Sequence, residues 1–164
     1  MLRTLLTLVV CSALLPAAEG YPTIPRKLPQ TGKELPEADA KRLRSACDEL
    51  AAAIAKSTAP LAADAAVFTK AVDFALRFHE FYDPSKDVAK ADWALTQARE
   101  RLDKLKMPTW TTQHGLVVRG YVSSVDGSVL PYGLVIPEKI DLSKPSPLYV
   151  WLHGRGSKET DLHF

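Results

Sequence analysis

The chain has 164 residues, with 21 basic and 19 acidic side chains and a net charge of +2, which leaves room for about one domain, or a small domain plus part of another. So even a balance, with no basic stripe, excludes nucleic acid as the main partner. Asparagine is missing altogether, so no N-x-Ser/Thr glycan acceptor exists, and with its alanine-rich segments the composition suits a bacterial exported protein.

The first residues read as an export signal. Arg3 gives a short positive start, Leu5 to Leu15 an apolar core, and Ala18 and Gly20 a small-x-small cleavage pattern. Residues 1–20 are therefore expected to be a signal peptide, with the mature chain starting near Tyr21 and exported to the periplasm or beyond. The apolar stretch is shorter than the roughly 20 residues a bilayer span requires, so no stable membrane anchor is expected after cleavage. Cys11 lies too early in that stretch, and behind the bulky Val10, to suit lipid attachment. Cleavage would leave Cys47 alone, so the mature chain forms no internal disulfide and must be held by packing.

Residues 21–36 carry Pro22, Pro25, Pro29 and Pro36 and read as an extended, polyproline-like arm, since proline fixes φ and lacks a backbone donor. Residues 37–107 read as a helical region of about three helices. The first places Leu43, Cys47, Leu50 and Ile54 on one face and ends at Ser57-Thr58-Ala59-Pro60. The second carries Val67, Ala71, Phe74, Phe78 and Phe81 as a stripe, flanked by Phe68, Val72 and Leu76, a width that implies burial on more than one side. Asp83 followed by Pro84 predicts a capped start for the third. Its Val88, Ala91, Leu95, Ala98, Leu102 and Leu105 follow a heptad-like spacing that ends at Met107-Pro108. The charges of Arg99, Glu100, Arg101, Asp103 and Lys104 are expected on a solvated face. Three antiparallel helices are the simplest packing.

After Pro108 the period changes from helical to strand-like. Leu116 to Val122 and Val129 to Ile136 predict a hairpin around Asp126-Gly127. Leu148-Tyr149-Val150-Trp151-Leu152 is a continuous apolar run, expected to be a buried strand covered on both faces. It enters His153-Gly154-Arg155-Gly156. A buried strand leading into a glycine turn presents backbone N–H groups at the carboxyl edge of a sheet, where open α/β folds bind ligands.

These residues resemble a known family. Arg119-Gly120-Tyr121, Asp126-Gly127-Ser128, Pro131-Tyr132-Gly133 and the run from Leu148 to Gly156 look like the opening of an α/β-hydrolase of the secreted, prolyl-oligopeptidase-like peptidase and esterase type. The resemblance covers residues 113–164. It implies that 108–164 begin a hydrolase domain whose remaining strands are not in this sequence. It also implies an oxyanion hole built from the backbone N–H groups of Gly154, Arg155 and Gly156, with His153 supporting the turn. The nucleophile, acid and base are not in the chain. Ser157 is not in a G-x-S-x-G elbow, and His163 has no evident orienting acid, Asp161 being too close in sequence. Ester or peptide is the implied substrate of the complete protein.

No metal or other cofactor is expected. His79-Glu80 lacks the second histidine of a metal helix, and His79 is expected to be an interface residue, His114 a solvated one. The fold class expected is α/β: signal peptide, helical region, then a hairpin and buried strand of an incomplete hydrolase sheet. The alternative is a non-enzymatic exported module that presents the phenylalanine-rich helix face to a partner.

Overall fold

A computed structural model describes residues 30–141, 143–152, 154, 156 and 158–163. Residues 1–20, expected to be a signal peptide, and most of the proline-rich arm lie outside these residues. The described chain is a mixed α/β structure of three helices and a two-stranded antiparallel sheet. Helix α1 spans Glu37–Ala55, α2 Ala62–Arg77 and α3 Pro84–Asp103.

The helices pack pairwise on the faces their spacing predicts. Leu43, Cys47, Leu50 and Ile54 of α1 are buried, as are Ala91, Leu95 and Ala98 of α3. The broad stripe of α2 has its explanation here, because α2 touches α1, α3 and both strands at once. Residues Gly32 and Lys33 of the arm are tied down rather than free. Their backbone N–H groups donate to the carbonyls of His79 and Phe81, each at 2.7 Å. His79 sits in the left-handed region at φ 53° and is exposed, so it is not the interface residue expected.

Asp83 precedes α3 as expected, but its side chain makes no cap hydrogen bond to the helix. Asp87 does this work in reverse. Its Oδ2 accepts the backbone N–H groups of Tyr82 and Asp83, both at 2.8 Å, satisfying donors that helix starts leave open.

Strand β1 (Gly115–Val122) pairs antiparallel with β2 (Val129–Ile136), from Gly115 opposite Ile136 to Val122 opposite Val129. Gly127 takes φ 72° in the turn, where an L side chain would be strained. The hairpin lies on α2 through a buried polar knot that the sequence reading missed. Asp64, in the first turn of α2, is 0% exposed. Its Oδ1 accepts the Gly120 N–H at 2.7 Å, and its Oδ2 accepts Trp110 Nε1 at 2.8 Å and Arg119 Nε at 2.9 Å. A buried charge is costly unless paired and hydrogen-bonded, and three donors meet that condition. Gly120 permits the approach. A Cβ there would collide with the Ala63 backbone carbonyl and with Val67.

Arg101 corrects an expectation. It is buried rather than on a solvated face. Its guanidinium donates to the carbonyls of Asp64 (3.0 Å) and Val118 (2.7 Å) and stacks on Phe68 and Trp110, 4.7 and 5.2 Å from the ring centres. Burial pushes its pKa down, with Asp64 acting against that and Arg119 adding to it. The side chain thus joins α3, α2 and β1.

The buried strand expected at Leu148–Leu152 does not form. These five residues follow no strand pairing and are between 73% and 90% exposed. The apolarity is real, but a strand also needs neighbours, and the hairpin, the one sheet among the described residues, does not take this segment in.

Candidate functional site

The expected site is the glycine turn after that segment. Gly154 and Gly156 are described, whereas His153, Arg155 and Ser157 lie outside the described residues. A Cβ built on Gly154 meets nothing within 4 Å. Gly156 is backed by the Glu159 carboxylate, which stands where a side chain at 156 would go.

After these glycines the chain returns to the helices. Thr160 and Leu162 are buried, and Asp161–His163 form one turn of 3₁₀ helix resting on α2 and α3. His163 Nε2 lies 3.2 Å from Asp87 Oδ1, and His163 Nδ1 lies 2.8 Å from the Thr160 hydroxyl. His163 therefore does have an acid beside it. It is Asp87, 76 residues earlier, which no local spacing could reveal. Asp161 turns the other way, with Oδ2 2.8 Å from Lys70 Nζ, an ion pair without hydrogen-bond alignment. Lys90 Nζ lies 3.2 Å from Asp87 Oδ1.

These neighbours set the charge state of Asp87. Burial raises its pKa, but the backbone N–H of Asp83, then Lys90 and His163, outweigh that and hold the carboxyl below its usual range. The hydroxyl, imidazole and carboxylate of Thr160, His163 and Asp87 form a continuous hydrogen-bonded chain. Thr160 is buried, however, and the adjoining cleft, lined by Phe68, Trp93, Val118, Pro131 and Leu162, holds only about 50 Å³. That is far below the roughly 300 Å³ at which ligand pockets begin. The chain of groups ties the 3₁₀ turn to the start of α3.

The remaining candidates are simply located. His114 is exposed, with Nδ1 3.0 Å from the Pro137 carbonyl. Phe68 and Phe81 are buried and Phe74 half-buried, so the phenylalanine face of α2 is largely used inside the fold, and only Phe78 is exposed. Trp93 is exposed on α3, edge-on to Phe68 at 5.7 Å. Cys47 is buried, and burial pushes its thiol up to about 11. Among the described residues no three His, Cys, Asp or Glu side chains gather as a metal shell, and no helix is long and apolar enough to cross a membrane.

The described residues form a small mixed α/β unit, a three-helix bundle carrying a β-hairpin. No family model, curated protein or solved structure matches the chain.

Proposed function

We propose that this chain is the N-terminal portion of an exported serine hydrolase of the prolyl-oligopeptidase-like type, acting on an ester or peptide through an acyl-enzyme. The observation that carries the reading is the uncovered apolar run Leu148–Leu152, 73–90% exposed, leading straight into Gly154-Arg155-Gly156. Five consecutive apolar residues suit a strand with both faces covered. Strands supplied from residues after Phe164 would cover them. A second uncovered pair agrees. Leu116 and Val135 face each other across the hairpin at 72% and 79% exposure, as they would beneath a further layer.

In that enzyme the backbone N–H groups of Gly154, Arg155 and Gly156 would bind the oxyanion of the tetrahedral intermediate, with His153 supporting the turn. Each such donor is worth about 3–4 kcal/mol of barrier. The hydroxyl that attacks the carbonyl would come from a G-x-S-x-G elbow after the next strand, with an acid and a histidine later still. The helical bundle would brace the sheet through the hairpin. Reading the gene past Phe164 for a strand and G-x-S-x-G within about a hundred residues, as the order of the fold requires, tests the proposal. A stop codon directly after Phe164 would overturn it in favour of a non-catalytic module.

A further inference from the structure

The groups that dock the 3₁₀ turn Asp161–His163 come from three elements. Leu162 joins the hydrophobic core. An ionised carboxylate only accepts, so His163 Nε2 carries the proton donated to Asp87 Oδ1 at 3.2 Å, and in the neutral ring Nδ1 accepts the Thr160 hydroxyl at 2.8 Å. The Thr160 carbonyl accepts the His163 backbone N–H at 2.9 Å. Lys70 of α2 pairs with Asp161, and the Tyr82 ring lies 5.5 Å from the imidazole.

We infer that Thr160–His163 is a latch that fixes the glycine turn to the helical bundle, with His163 as the positioning residue and Asp87 as its receptor. Chain geometry limits how far Gly156 and the latch can separate. Four residue steps separate Gly156 from Thr160, and an extended chain spans at most about 3.5 Å per residue, so Gly156 stays within about 14 Å of the latch. The Glu159 carboxylate packed against Gly156 shortens the tether further. Asp87 is itself held rigidly, since its other oxygen is committed to the backbone at the start of α3. Gly156 is thus referenced to the helices through Thr160–His163. Its meaning for catalysis rests on the hydrolase reading; its existence does not.

Amide hydrogen exchange tests the latch on the chain itself. His163→Ala should speed exchange at Gly156 and at residues 158–163 by about tenfold or more, since it removes both the charge-assisted bond to Asp87 and the bond with the Thr160 hydroxyl, with α1–α3 unchanged. His163→Gln, whose side-chain N–H can reach the same carboxylate, should restore part of the protection. Equal rates in wild type and His163→Ala, or acceleration spread evenly over the helices, would overturn the latch. In a longer gene product that turns over an ester, His163→Ala should lower kcat with KM unchanged; a KM change at constant kcat would refute the positioning role. The exchange readout requires no catalysis, so failure of the hydrolase reading and failure of the latch give different results.

Discussion

Replacing Asp64 by alanine should be the most damaging single change to the described fold. Its two oxygens accept three hydrogen bonds, from Gly120, Trp110 and Arg119, at a site with no solvent exposure. Truncation strands all three donors and leaves the guanidinium of Arg119, mostly buried, without its counter-charge. Breaking a buried pair from one side costs about 3–5 kcal/mol, a large part of the roughly 5–15 kcal/mol that holds a domain together. Urea unfolding followed by near-ultraviolet circular dichroism, to which Trp110 contributes, reads the loss directly. A double-mutant cycle with Arg119→Ala should give a coupling of about 1–3 kcal/mol. An Asp64→Ala loss below about 1 kcal/mol, or full additivity with Arg119→Ala, would refute the knot as the hairpin's anchor.

Gly120→Ala should destabilise by about 3 kcal/mol, at the upper end for overpacking, because the new Cβ meets a backbone carbonyl that cannot swing away; an unchanged urea midpoint would contradict this. The Asp87 carboxyl lies below its usual range when folded, so its contribution is present above the unfolded value of about 3.9 and is lost as pH falls through the lower folded value. The stability gap between wild type and Asp87→Asn should therefore be constant above about pH 5 and close in acid; a gap independent of pH would refute the assignment. With its thiol near 11 and its side chain buried, Cys47 should resist alkylation at pH 8 until denaturant is added, and rapid native labelling would show that α1 is not packed as described. The 164-residue chain should self-associate through Leu148–Leu152 as concentration rises, and aspartate at Val150 should suppress this; a stable monomer at high concentration would remove the main support for an uncovered strand.

What the sequence revealed and what it hid divide along the range of the interaction. The buried faces of α1 and α3, the break at Ser57–Pro60 and the hairpin at Asp126-Gly127 were legible because periodicity and turn chemistry are local. Asp64 was missed although a lone carboxylate among alanines, three and four residues before Val67 and Phe68 on the same apolar face, was a usable signal. Arg101 was misread because a charge on a helix is usually solvated, and only the carbonyls of Asp64 and Val118 make its burial tolerable. The Asp87–His163 contact joins residues too far apart in the chain for any spacing rule. At Leu148–Leu152 composition reported the apolarity correctly, but pairing depends on partners that a run of residues does not specify. The glycine turn stood out through its motif, while the latch beside it emerged only from packing.

The proposed acyl-enzyme chemistry meets its most direct test in active-site labelling with a fluorophosphonate, read by intact-mass spectrometry and peptide mapping. The 164-residue chain should take up no label, and the protein made from its gene read beyond Phe164 should gain one adduct, on the serine of a G-x-S-x-G elbow. Stoichiometric labelling of Ser157, or a gene product that takes no label, would contradict the account.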